Sequence, residues 1–260
     1  MADRAEPVRR RGGRAAHAPL SGLVPRQLWQ LELLSQLARR RALAVRMAFP
    51  LALVIPLVTT GAPPFFAGML LVVLVTLIGT VGTGVGVTRA RASGWLDRLA
   101  VLPLPAWRVS GELFLAAFLV DAVQGSVMVA VVAVAHQPNP ALLGTTWALV
   151  LSVLALANAL GLGLAALTDH PGEIMLYLAV LLAPLLFLSG LFTGVPAQGI
   201  GHVVAGLLPF SYLHQAFELA LGGNPATGDP ASFAVAAAIT AVVAVTAAAG
   251  LGPAILRRPR

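Results

Sequence analysis

From residue 42 onward the chain is dominated by six long apolar stretches, near 42–60, 65–88, 109–135, 141–167, 174–193 and 231–255. About 20 apolar residues in a helix cross the ~30 Å hydrocarbon layer of a bilayer. A helix also satisfies its own backbone N–H and C=O groups, the condition for lying in lipid. The pattern therefore predicts an all-α integral membrane protein with six transmembrane helices. Composition agrees, because only 10% of the residues are charged where soluble proteins have about 25%. Residues 26–260 read as one transmembrane domain. Residues 1–25 read as a disordered tail, without the early apolar core of a cleaved signal peptide.

All 17 basic residues are arginine, and they fall in three groups. Ten lie between Arg4 and Arg46; Arg89, Arg91, Arg98 and Arg108 lie between the second and third stretches; Arg257, Arg258 and Arg260 close the chain. The alternate connections carry none. Arginine resists translocation, so this bias places both termini in the cytoplasm of a multi-pass protein. An arginine-only, Ala- and Gly-rich chain also hints at a GC-rich bacterial genome, hence at a bacterial cytoplasmic membrane. The formal charge of +7 is explained by these juxtamembrane groups facing anionic lipid, and no nucleic-acid partner is expected. With no cysteine, disulfides and thiolate metal sites are excluded.

Residues 26–41 differ from the span that follows. At helical spacing Trp29, Leu33, Leu34, Leu37 and Ala38 share one face, and Glu32, Ser35, Gln36 and Arg39 the other. Such a helix suits the headgroup layer, either as a simple anchor or as a moving part. The first span contains Pro50 and Pro56, each a potential kink. Gly79, Gly82, Gly84 and Gly86 end the second span and suit close helix packing in lipid. They are not a phosphate loop, which needs a lysine that this chain lacks. Between the fifth and sixth spans lie about 40 residues too apolar for a free loop and too broken by Gly and Pro for a span. They predict a re-entrant outer segment, tolerable only where protein buries it.

Ionisable groups at membrane depth are costly and each needs a reason. Asp121, with Gln124 one turn on, lies well inside the third span. It either lines a transport route or packs against Asn158 or Ser152 of the next helix. Glu112 is at helical spacing from Arg108 and reads as its ion-pair partner. His136, His202 and His214 read as outward-facing, solvated residues without metal-site spacing. Ser189 is in no nucleophile motif, and no catalytic set of residues appears at plausible spacing. Between the second and third spans, Trp95, Leu96, Leu99 and Leu102 can share a short helical face beside Asp97 and Arg98, ended by Pro103 and Pro105.

That last segment resembles the membrane subunits of type-two ABC exporters, the family of daunorubicin-resistance and polysaccharide-export permeases. They carry a stretch like RExGTLERLxxxPLxRW, which Ser93, Gly94, Leu96, Asp97, Arg98, Leu99, Pro103, Leu104 and Trp107 match in order. A second stretch, like PxxFLSGxF followed by PxxY, is matched by Pro184, Phe187, Leu188, Ser189, Gly190, Phe192, Pro209 and Tyr212. Ala92 stands where the family often has an acid. The resemblance covers about residues 26–256. It implies a permease without enzymatic activity of its own, and an amphipathic elbow helix over 26–41. It implies as partners a separate ABC ATPase subunit, which would hold the ATP and Mg, and a second permease subunit, identical or related. This chain would carry no cofactor. Coupling to the ATPase is expected through Trp29, Leu33 and Arg39 with Trp95, Leu96, Asp97, Arg98 and Leu99, and the substrate route through Asp121, Gln124 and Asn158. The few polar groups at depth suit an amphipathic or hydrophobic cargo such as a drug, antibiotic or lipid. A glycan or glycolipid exporter is the alternative, and a membrane enzyme or scaffold needing no ATPase is the competing class.

Overall fold

A computed structural model describes residues 27–38, 40–225 and 229–256, and the only regular structure among them is helical. Arg39, the tail over 1–25 and the final arginines lie outside the described residues. The helices are α1 (Leu28–Ala38), α2 (Arg40–Thr59), α3 (Pro64–Ala92), α4 (Trp95–Ala100), α5 (Ala106–His136), α6 (Pro140–Leu167), α7 (Pro171–Leu188), α8 (Ile200–Leu207), α9 (Pro209–Ala220), α10 (Pro230–Gly250) and α11 (Gly252–Ile255).

Proline marks many of the boundaries. Pro64, Pro140, Pro171, Pro209 and Pro230 stand in the first turn of their helices, where a missing N–H costs nothing. Asn139 and Asp229 accept from Ala141 N and Ala231 N at 2.9 and 3.2 Å as N-caps. Gly94 turns the chain from α3 into α4 with φ +72°, a left-handed conformation that glycine adopts without strain.

Five helices, α3, α5, α6, α7 and α10, are long and apolar enough to cross a membrane. Among the described residues a sixth is counted when α1 and the part of α2 from Leu43 are taken as one element bent by 76°.

At the centre stands α6, with 72% of its apolar window buried against 22% for α7. It packs on α3, α5, α9 and α10. Its contact with α3 is glycine-mediated, since a Cβ on Gly161 would lie 2.5 Å from Thr80 O, and one on Gly79 2.7 Å from the Ala157 Cβ. Gly84 packs likewise, against Ile174 of α7 and the Gly161 carbonyl. Gly86 departs from the expected row, because nothing lies within 4 Å of where its Cβ would be.

Between α7 and α10 the broken segment forms two short helices. α9 is sunk into the bundle by Phe210, Leu213 and Phe217, whereas α8 buries only Ala205. Ser189 and Gly190 make the turn after α7. A Cβ on Gly190 would meet Gly194 O at 2.8 Å, and its φ is +77°, so the matched Ser-Gly position is a backbone requirement.

The bundle has two distinct ends. One gathers Arg40, Arg41, Arg89, Arg91, Arg98 and Arg108 with α4 and α11. There Arg91 donates to Ala165 O, Thr168 O and Ile255 O at 2.7, 3.0 and 3.1 Å. The opposite end holds the 60–63 and 137–139 turns with α8 and α9.

Candidate coupling face and buried polar core

At the arginine-bearing end, α4 is seated by Leu96 and Leu99, which are 2% and 7% exposed and belong to the core. Trp95 packs partly buried against the same core. The expected single apolar face is therefore not the surface offered outward. Leu96 and Leu99 anchor the helix, and Leu102 lies past its end, exposed. Outward instead are Asp97 and Arg98, followed by Val101 and Trp107 at 71% and 61% exposure.

Beside α4 runs α1, which contains no fully buried residue; Leu28 packs partly buried against the core, and polar contacts hold its start. Glu112 of α5 takes two roles. Its Oε1 accepts from Arg108 Nε at 2.7 Å, the ion pair that the i, i+4 spacing predicts. Its Oε2 accepts from the backbone N–H groups of Leu28 and Trp29 at 2.6 and 3.3 Å. Those N–H groups open a helix and have no intrahelical partner, so a carboxylate from another helix caps them. Trp29 and Leu33 are half-buried, and Trp29 Nε1 donates to Gln27. The polar side of α1 faces the bundle: Glu32 and Gln36 border a small cavity of about 40 Å³ with Arg46, Thr83 and Trp95. Leu31 and Leu37 are the exposed ones.

The second cluster lies deeper. Asp121 and Asn158 have no exposure and Gln124 has 3%. Within the single chain all three are enclosed by neighbouring helices. The partner of Asp121 is neither Ser152 nor, chiefly, Asn158, but Arg46, whose Nη2 donates to Oδ1 at 2.5 Å. The other arm of Arg46, Nη1, donates to Gln36 Oε1 at 3.2 Å. Asn158 is a further polar neighbour of Asp121; it accepts from Thr83 Oγ1 and donates to Leu154 O of its own helix. Gly82 makes room for the ion pair, because a Cβ there would lie 2.7 Å from Arg46 Nη2.

Gln124 has a separate task. Pro50 has no N–H, so the carbonyl four residues earlier in α2, that of Arg46, loses its helical donor. Gln124 Nε2 donates to that carbonyl. Among the described residues two buried acceptors, Asp121 Oδ2 and Gln124 Oε1, have no hydrogen-bond donor.

Arg46, Gln36 and the capping role of Glu112 were not singled out from the sequence. Arg46 carried one readable signal, a charge inside the first apolar stretch facing an acid inside another. His214 also departs from expectation. It is buried, its Nε2 is 2.9 Å from Phe65 O, and its ring meets that of Phe65 edge-on at 4.8 Å. His136 and His202 are exposed as expected.

Comparison with known families gives one match: residues 26–221 fit the model described as ABC-2 type transporter. No curated protein and no solved structure matches the chain.

Proposed function

Because the chain belongs to the ABC-2 type transporter family and is a transmembrane permease of that type, we propose that it is the permease half of an ATP-driven exporter. It moves an amphipathic or hydrophobic compound (drug, antibiotic or lipid), as a dimer with an identical or related subunit, in a bacterial cytoplasmic membrane. The arginine-bearing end faces the cytoplasm, where retained arginine is favoured. Energy arrives from a separate ABC ATPase that carries the ATP and Mg. The finer kinship, to daunorubicin-resistance or polysaccharide-export permeases, is supported by the two matched stretches alone.

One observation carries the coupling assignment. At that end a helix rooted by two buried leucines presents Asp97 and Arg98, and the turn that follows leads through exposed Val101 and Leu102 to exposed Trp107 at the start of α5. Rigid anchoring behind and exposed apolar and charged groups in front suit a docking site that transmits force. Trp29 and Leu33 on α1 extend it. Arg39 belongs to the same proposal on sequence grounds only.

Co-purification from the native membrane tests this. The wild-type chain retains an ATP-hydrolysing subunit. The double variant Asp97→Arg, Arg98→Glu inserts normally and loses it. Leu96→Ala behaves differently, losing about 2–5 kcal/mol of stability through the cavity it creates. Full ATPase retention and activity in the charge-reversed variant overturns the assignment.

A further inference from the structure

On the premise of that transport reading, we propose that Arg46 is a positioning residue. It latches the α1–α2 elbow to α5, so that a displacement of α1 is passed to the membrane-buried helices.

The argument begins with how α1 is held. It has no fully buried side chain; Leu28 packs partly buried against the core, and two polar attachments join it to α5. One is Glu112 at Leu28 and Trp29; the other runs from Gln36 through the Arg46 guanidinium to Asp121. The attachment points are eight residues apart on α1 and nine apart on α5, rises of ~12 and ~13.5 Å. The spacings match, so α1 is fixed to α5 at both ends, and only the second fixing is also tied to α2. Arg46 is where the two arms of the elbow and α5 meet.

The surroundings suit release as well as holding. Asp121 is fully enclosed, while the Arg46 side chain is 29% exposed and borders the cavity beside Gln36. The guanidinium can therefore withdraw toward the cavity while Asp121 stays in place. Asp121 left behind is an uncompensated buried charge, which favours the return of its partner. The backbone at this point is already loosened: the Arg46 carbonyl is the one that Pro50 frees, held by the Gln124 amide instead of the helical ladder. Ion pair and hinge coincide on one residue.

The absence of cysteine makes a direct test practical. Spin labels at Leu31→Cys and Leu115→Cys, both at exposed positions, report the α1–α5 separation by pulsed EPR on the full chain in lipid nanodiscs. The parent gives one narrow distance distribution. Arg46→Met and Asp121→Asn broaden it and add a longer population, and Arg46→Lys, which keeps the cation, returns most of the narrow one. Thermal unfolding followed in parallel separates release of α1 from general loosening. If Arg46→Met fails to insert, Asp121→Asn decides. An unchanged distribution in the inserted variants, or broadening that Arg46→Lys does not reverse, overturns the latch. Broadened distributions in a chain that binds no ATPase leave the latch standing and defeat the transport reading.

Discussion

Arg91 donates to three main-chain carbonyls and to Asp169 Oδ1, from a side chain that is 8% exposed. The carbonyls end α6 and α11, where a helix has negative partial charge and no donors of its own. One guanidinium thus ties α3 to the ends of two other elements, using a planar fork that lysine cannot reproduce. Arg91→Met leaves those acceptors without their donor, and an unmet buried group costs about 1–3 kcal/mol. A clear drop in the thermal midpoint is expected, with insertion unchanged. Arg89→Met, at an exposed position two residues away, stays within about 0.5 kcal/mol of the parent. Equal midpoints for the two variants contradict this account. In the sequence both arginines look alike, as juxtamembrane positive charge. Their difference depends on which carbonyls the fold brings near, and no local pattern encodes that. The Arg108–Glu112 pair was readable because both partners lie on one helix at fixed spacing. The Arg46–Asp121 pair spans 75 positions and was not.

At the scale of the helix, the long apolar stretches and their proline starts were legible because composition and position set them directly. The orientation of short helices was not. α4 turns Leu96 and Leu99 inward, and α1 turns Glu32 and Gln36 toward the bundle, because neighbouring helices supply the environment. Proline inside α2 shows the same division. Its position announces a freed carbonyl, but only the fold names Gln124 as the donor. This yields a double-mutant prediction. Gln124→Leu leaves the Arg46 carbonyl unmet and destabilises by about 1–2 kcal/mol. Pro50→Ala restores the helical N–H, and in that background Gln124→Leu costs far less. The coupling, measured by unfolding of the four chains, is expected at about 1 kcal/mol. Additive effects mean that Gln124 serves some purpose other than the proline.

For the whole molecule, the arrangement of charge and the number of crossings must agree. Among the described residues every arginine but Arg46 lies at one end, and the 60–63 and 137–139 turns lie at the other. Arg46 is the informative exception. It is the one charge within the otherwise apolar part of α2 from Leu43 to Thr59. Yet Asp121 neutralises it, removing much of the cost that an isolated cation at depth would carry. A neutralised α2 is free to cross, which makes six spans and puts Leu31 of α1 on the side of Asp97, opposite Thr60. If α2 instead folds back, Leu31 shares a side with Thr60, which α3 keeps opposite Asp97 in either case. Single cysteines in this cysteine-free chain distinguish the two with a membrane-impermeant maleimide. Thr60→Cys and Gln137→Cys are expected to label in intact cells, and Leu31→Cys and Asp97→Cys only after the membrane is opened. Labelling of Leu31→Cys in intact cells while Asp97→Cys stays protected reduces the count to five. Labelling of Asp97→Cys in intact cells inverts the chain and removes the docking face from the compartment that holds ATP.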